Sequence, residues 1–248
     1  MLKDKIAWIT GAGSGIGLAA AQALAAAGAT AVMSGRRAEI LTSAARKIRE
    51  AGGKVEIEAL DVSDAQAVLD AAERIVRRHG TIDILVNSAG TNSTRRFWSD
   101  AGIDDWNKVI RVNLDGIYYC TKAVLPHMRK HKGGLVINIS SWAGKYLSGI
   151  VGPAYTASKH AVVALTAELN MEECGHGIRA CVICPAEVDT PIMDTRPQPP
   201  SAQARAKMLR PEDLGRTILW VAEQPAHVCV NEITISPTWN RFYLGTDD

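Results

Sequence analysis

The chain has no apolar run of about 18 residues or more, so no segment is long enough to cross a bilayer as a helix. It has almost no charge bias either. Its 28 Lys and Arg against 26 Asp and Glu leave a formal +2, too little for nucleic acid or an anionic membrane surface as partner. Cysteine is scarce: five residues, an odd number in no framework spacing. That excludes a disulfide scaffold and points to free thiols in a reducing compartment, the cytoplasm. Met1 to Thr10 lacks the h-region and cleavage site of a secretory signal, because Lys3, Asp4 and Lys5 lead at once into a short apolar run. Internal repeats and linkers are missing too. What remains is an ordinary globular chain of 248 residues, 47% hydrophobic and 22% charged. Such a chain buries roughly 70–75% of its unfolded surface without a disulfide or metal.

What is present is alternation. Short apolar runs at Ile6–Thr10, Ala31–Ser34, Val55–Leu60, Ile82–Val86, Leu135–Ser140, Ile178–Cys184 and Glu232–Ile235 read as strands. Most are continuously apolar, as parallel strands buried on both faces are. Helical stretches separate them near Gly15–Ala27, Ala38–Ala51, Ala65–His79, Trp106–Lys130, Ala154–Glu173 and Pro211–Glu223. The expected fold is α/β: a doubly wound, Rossmann-type parallel seven-stranded sheet with helices on both faces. A proline-bearing excursion at about 191–210 interrupts the last third and is expected to be a substrate lid within one domain, 1–248.

Directly after the first expected strand comes Thr10-Gly11-Ala12-Gly13-Ser14-Gly15-Ile16-Gly17, opening an alanine-rich helix. Such a turn offers free N–H groups and a positive helix end to a phosphate, and glycine lets the pyrophosphate approach. The spacing is not G-x-G-x-x-G, since positions 16 and 18 are Ile and Leu; it is T-G-x-x-x-G-x-G. This resembles the cofactor loop of the short-chain dehydrogenase/reductase family. The resemblance implies that Gly11, Ser14, Gly15, Ile16 and Gly17 meet a nicotinamide dinucleotide.

Which dinucleotide depends on Ser34-Gly35-Arg36-Arg37, where no carboxylate is available to take a ribose 2′-hydroxyl. Arg36 offers a guanidinium that grips a 2′-phosphate bidentately. In the family the acidic NAD selector falls at about Gly35, and a basic residue at Arg36 accompanies NADP. The family's second basic position, in the glycine loop, is neutral Ser14 here. NADP is the expected cofactor and NAD the alternative; both arginines also fit a solvated helix start. The resemblance further implies cofactor contacts at Asp61 and Val62, on the adenine side. It implies them at Asn87, Ala89 and Gly90 as well, in N-S-A-G, with Ser88 in place of the family's second Asn. Pro185, Val188 and Thr190 complete the set, in P-A-E-V-D-T, where Ala186 replaces a glycine.

Tyr155 and Lys159 stand four apart at the start of an expected helix and share one face. A phenol with a pKa near 10 is a poor acid or base at neutral pH. A neighbouring ammonium stabilises its phenolate, so the pair reads as a proton-transfer unit. Ser141 ends the fifth strand fourteen residues before Tyr155 and offers a hydroxyl to a carbonyl oxygen, with Ser140 as the alternative. The family resemblance implies Asn113 as a fourth member, anchoring a water chain to the lysine. The serine-to-tyrosine spacing is one longer than the family's commonest. Together these imply hydride transfer between NADP(H) and a carbonyl or secondary alcohol, with Tyr155 and Lys159 also touching the cofactor. An NAD-dependent alcohol dehydrogenase and a non-catalytic dinucleotide-binding regulator are the rivals.

No metal is expected. Cys181 and Cys184 are three apart on a strand, so their thiols point to opposite faces. The substrate pocket is expected among Thr91–Trp98, Trp142–Ile150 and Pro191–Met208, where Arg95 and Arg96 stand as candidate contacts to an acidic substrate. The resemblance also implies a homo-oligomer, a tetramer or dimer, paired through the two long helices.

Overall fold

The seven apolar runs become seven strands, each with a helix or loop crossing over to the next. In chain order the computed structural model has β1 (Ile6–Thr10), α1 (Gly15–Ala26), β2 (Thr30–Ser34), α2 (Ala38–Glu50), β3 (Lys54–Ile57), α3 (Ala65–His79) and β4 (Ile84–Asn87). Then follow α4 (Ile103–Ile110), α5 (Gly116–His131), β5 (Gly134–Ile139), α6 (Pro153–Glu173), β6 (Ile178–Pro185), α7 (Ala202–Ala206), α8 (Pro211–Ala222), β7 (Glu232–Ile235) and α9 (Arg241–Leu244). The structure describes residues 2–244; residue 1 and residues 245–248, which the expected bounds 1–248 include, lie outside the described residues.

The strands form one sheet in the order β3-β2-β1-β4-β5-β6-β7, every neighbouring pair parallel. Period-2 alternation splits the strand side chains between two layers. Ala7, Ile9, Met33 and Ile137 pack with Leu24 of α1, Leu41 of α2 and Leu214 of α8. Trp8, Val32, Leu85 and Val136 pack on the other face with Ile75 of α3 and Val124 of α5. The expected Rossmann-type fold with helices on both faces is therefore what forms. Cys181 joins the first layer and Cys184 a cluster with Val162 of α6, so the two thiols do lie on opposite faces. Strand order reverses between β1 and β4, and the crevice beyond their carboxyl ends is where such sheets bind ligands.

The helix ends follow local chemistry. Asp64 caps α3 by accepting the Ala67 N–H at 3.0 Å, and Gly80 closes it at φ 81°. The single long helix expected at Trp106–Lys130 is instead broken. A π-helical turn at Arg111–Asp115 separates α4 from α5, and the fully buried Asn113 sits in it. Its side chain leaves the helix to bond the Thr91 backbone at both ends, accepting from N at 2.8 Å and donating to O at 3.0 Å. π-turns of this kind concentrate at functional sites. The third strand is also shorter than expected. It stops at Ile57, although Glu58 N and Leu60 N still bond to Met33 O and Gly35 O.

Under the crevice a buried polar relay ties strands to helices. Asn87 on β4 and Asn138 on β5 face each other in register, and the Asn87 amide donates to Asn138 Oδ1 at 2.9 Å. Asn138 in turn donates to Thr166 Oγ1 of α6 at 2.9 Å, and Asn87 to Thr121 Oγ1 of α5 at 3.3 Å. All four are at most 7% exposed. Removing one member leaves a buried neighbour unpaired, at a cost of about 1–3 kcal/mol. Asn138→Ala is therefore expected to destabilise the fold by about that amount, and its combination with Thr166→Val to be non-additive in urea unfolding. Strict additivity of the two changes would show that the relay does not act as a unit.

Candidate active site

The glycine loop between β1 and α1 forms the floor of one side of the crevice. Gly11 adopts φ +65°, and a Cβ there would lie 2.8 Å from the Ala89 backbone after β4. A Cβ on Gly17 would lie 2.5 Å from Gly11 O. Only hydrogens at these points let the loop, the β4 turn and the start of α1 close together. Thr10 completes the joint, its Oγ1 accepting from Ser88 N and Ala89 N at 3.1 and 3.2 Å. The N-terminus of α1 carries no side-chain cap at Ser14 and no acidic residue in its first turn. It is left as an open positive end, shaped for a phosphate.

A cleft of about 730 Å³ runs from this loop across the sheet edge. Its glycine-loop wall is Gly11, Ser14, Gly15 and Ile16, with Arg36, Asp61 and Val62 at one end. Ala89 and Gly90 line its centre, and Pro185, Val188 and Thr190 its far wall. Ser141, Tyr155 and Lys159 stand at the other end of the same cleft. Three expected site residues are not on its surface. Gly17 is buried in the loop packing, and Asn87 and Asn113 lie beneath, at 1% and 0% exposure. Asn87 spends its amide on the relay, and its Oδ1 has no protein partner.

The residues fit a nicotinamide dinucleotide. The cradle is one that a Cβ would fill, the helix end above it is uncapped, and exposed Arg36 and Arg37 line the cleft at its Asp61 end.

At the catalytic end the two expected alternatives for the serine separate. Ser140 is buried and donates its hydroxyl to Lys159 O at 2.8 Å. Ser141 faces the cleft beside Tyr155, its hydroxyl oxygen accepting the Ala143 N–H at 3.2 Å. Lys159 is 4% exposed, with Nζ donating to Ile139 O at 2.8 Å and lying 5.6 Å from the Tyr155 ring centre. Burial lowers its pKa to about 8. Burial also pushes the Tyr155 phenol above its ordinary value, and Ser141, Arg196 and Arg96 pull it partly back. The cations acting on the phenol thus include two arginines that stand outside the Tyr-Lys pair. Asn113 approaches Lys159 from below: a Cβ on Gly90 would sit 3.8 Å from both Asn113 Oδ1 and Lys159 Nζ.

Of the expected substrate-side loops, Thr91, Asn92, Arg96, Trp142, Ser148 and the 191–196 stretch do line the cleft. Arg95 does not; it is exposed and paired with Asp105 at 3.0 Å. Trp142 is buried against Tyr146, Phe242 and Tyr243. Arg196 and Glu187 lie in segments the sequence marks, the 191–210 stretch and P-A-E-V-D-T, though neither is singled out there. Sequence reasoning passes over Phe242, because its place in the cleft depends on how α9 folds back over it.

A sequence model described as short chain dehydrogenase matches residues 5–200. An uncharacterized oxidoreductase of Staphylococcus saprophyticus is 35% identical over 237 residues, covering 95% of this chain and 98% of that protein. A metagenomic short-chain oxidoreductase solved in complex with NADP superposes with a TM-score of 0.83 at 31% identity, over 96% of this chain and 99% of that one. An alcohol dehydrogenase of the archaeon Thermococcus sibiricus, complexed with 5-hydroxy-NADP, gives 0.86 at 28% identity, over 96% and 98%.

The lysine's lowered pKa has a stability consequence. The unfolded chain holds that proton more tightly than the folded chain does, so the fold carries a penalty below pH 8 that fades as pH rises towards 10.5. Lys159→Met is expected to stabilise the chain at pH 7, by up to an amount on the order of 3 kcal/mol, with the gain shrinking above pH 8. Urea unfolding of both chains across that range checks it. A variant less stable than the parent by the same margin at every pH would show that Lys159 is not a strained group.

Proposed function

This chain belongs to the short chain dehydrogenase family, and from that membership we propose that it transfers a hydride between NADP(H) and a carbonyl or secondary alcohol. The observation that carries the reading is the convergence of Ser141, Tyr155 and Lys159 on one cleft with the glycine cradle. The nicotinamide dinucleotide, when bound, supplies or accepts the hydride. Everything else falls to the chain's own side chains. Ser141 holds the substrate oxygen by donating its hydroxyl to it. Tyr155 gives that oxygen its proton in reduction, or takes it in oxidation, at its phenolic oxygen. The phenol is protonated at neutral pH, as a donor requires. Burial makes it a weaker acid, so the charges that pull its pKa back are what ready it to give the proton up. Lys159 keeps two N–H donors beyond its bond to Ile139 O, for a ribose and for the proton path to Asn113.

NADP rather than NAD rests on Arg36, which lines the cleft from the β2–α2 turn, residues 34–37, a turn that carries no carboxylate to take a ribose 2′-hydroxyl. The stretch at 191–210 serves as the lid of a single catalytic domain. It is fastened by Arg205 to Asp189 at 3.1 Å and by Arg96 to Thr195 O at 2.6 Å. The reading includes a homo-oligomer, tetramer or dimer, contacting through α5 and α6, where Tyr118 and Met171 are 50% and 74% exposed. All five cysteines are free, as a cytoplasmic enzyme keeps them.

Tyr155→Phe is expected to lose kcat by a factor of about 10²–10⁴, the range for removing a general acid–base group, while still binding NADPH. A variant that keeps most of its kcat would defeat the assignment. NADPH is expected to bind more tightly than NADH, and Arg36→Gln to narrow that preference by about tenfold or more. Equal affinity of the parent for both cofactors would remove the Arg36 argument.

A further inference from the structure

The lid side of the cleft brings two guanidiniums together beside the tyrosine. Arg96 follows β4 and is only 5% exposed. Its Nε donates to Ser93 O at 2.8 Å and its Nη2 to Thr195 O at 2.6 Å, which fixes the plane of the fork. Its Nη1 has no protein partner among the described residues. No carboxylate bonds Arg96; exposed Asp100 acts on it only through space.

Arg196 comes from the lid, with its side chain 12% exposed. It donates Nη1 to Glu187 Oε1 at 2.6 Å, an oxygen that Arg241 also bonds at 2.8 Å. Its Nε and Nη2 have no protein partner among the described residues. Glu187 thus divides its carboxylate between Arg196 and Arg241, while Arg96 and Arg196, both poorly solvated, line the same cleft. Like charges held this close out of water repel. Burial and then the Arg196 charge lower the Arg96 pKa, and both arginines pull on the Tyr155 phenol. A bound oxyanion would relieve that repulsion and use the free donors.

We propose that Arg96 and Arg196 form an oxyanion subsite, and that the substrate is a small oxo or hydroxy acid whose carboxylate they hold while its reacting carbon stands at Tyr155. The subsite rests on the hydride-transfer reading above. In reduction the carbonyl carbon gains the hydride of NADPH, the oxygen gains the Tyr155 proton, and the hydroxy acid leaves with its carboxylate unchanged. Oxidation is the reverse. A carboxylate suits the site better than a larger anion because a planar two-oxygen group matches the planar Arg fork. The Arg96 bond to Thr195 O also couples this subsite to the lid, so an anion that orders Arg96 holds the lid over it.

The test sets straight-chain 2-oxo, 3-oxo and 4-oxo acids each against its own methyl ester, with NADPH and NADH, and adds an oxo sulfonate. At least one acid is expected to exceed its ester in kcat/KM by about 100-fold, chiefly through KM, since the ester lacks the charge that the arginines bond. Arg196→Gln is expected to narrow the acid-to-ester ratio by about tenfold or more, and Arg196→Lys to fall between. Calorimetry on the Tyr155→Phe chain with NADP⁺ is expected to show the preferred acid binding and its ester not, and Arg196→Gln to weaken that binding. Acid and ester turned over alike, or a ratio unmoved by Arg196→Gln, would overturn the subsite. So would preference for the sulfonate, as to the carboxylate. Neutral ketones reduced while every acid is refused would overturn it and leave the hydride-transfer reading standing. Failure to turn over any carbonyl or alcohol with either cofactor would overturn that reading and the subsite together.

Discussion

A lysine ammonium buried at the sheet edge sets the terms for the rest of the site. Lys159 is held at both ends: the Ser140 hydroxyl donates to its backbone carbonyl at 2.8 Å, and its Nζ donates to Ile139 O at the same distance. Those two partners are successive residues at the end of β5, so the strand fixes the lysine and the lysine fixes the first turns of α6. Gly152 admits the helix, at φ +79°, where a Cβ would strike Arg96 O at 2.0 Å. The loop bearing Arg96, the end of β5 and the start of α6 thus lock around one desolvated charge. A fold that carries such a charge gives up stability for a function.

The two titrating groups move apart. The lysine comes down to about 8 and the phenol goes up, both because the cleft removes water from their charged forms. A tyrosine so placed stays neutral until other charges act on it, and the charges within reach are Arg96 and Arg196 as well as the lysine. The sequence view of a self-contained Tyr-Lys pair therefore needs widening. The proposed proton donor sits in a field that the lid helps to build, and the proposed substrate anion enters that same field.

Legibility in the sequence followed range. Features fixed within a few residues could be read directly, such as the helical stretch Ala65–His79 or the glycine loop between β1 and α1. The order of motifs from Thr10 to Thr190 gave the sheet's ligand edge and brought Ser141, Tyr155 and Lys159 to one cleft. What could not be read depends on distant partners. The helix break at Asn113 arises because its side chain prefers the Thr91 backbone, 22 residues away. Asn87 looks like a site residue in sequence, and its amide also braces the sheet through a strand 51 residues on. Arg96 and Arg196 meet only because Thr195 O reaches back 99 residues to bond the first of them.

If burial and the lid arginines set the tyrosine's proton affinity, that affinity can be read directly from the phenolate absorbance of the parent chain minus that of Tyr155→Phe. Followed against pH, the free chain should show Tyr155 titrating above the ordinary tyrosine value near 10. Adding NADP⁺ should bring the transition down, and Arg196→Gln should move it up in the free chain. A phenol that titrates at the ordinary value, indifferent to NADP⁺ and to Arg196, would contradict the account.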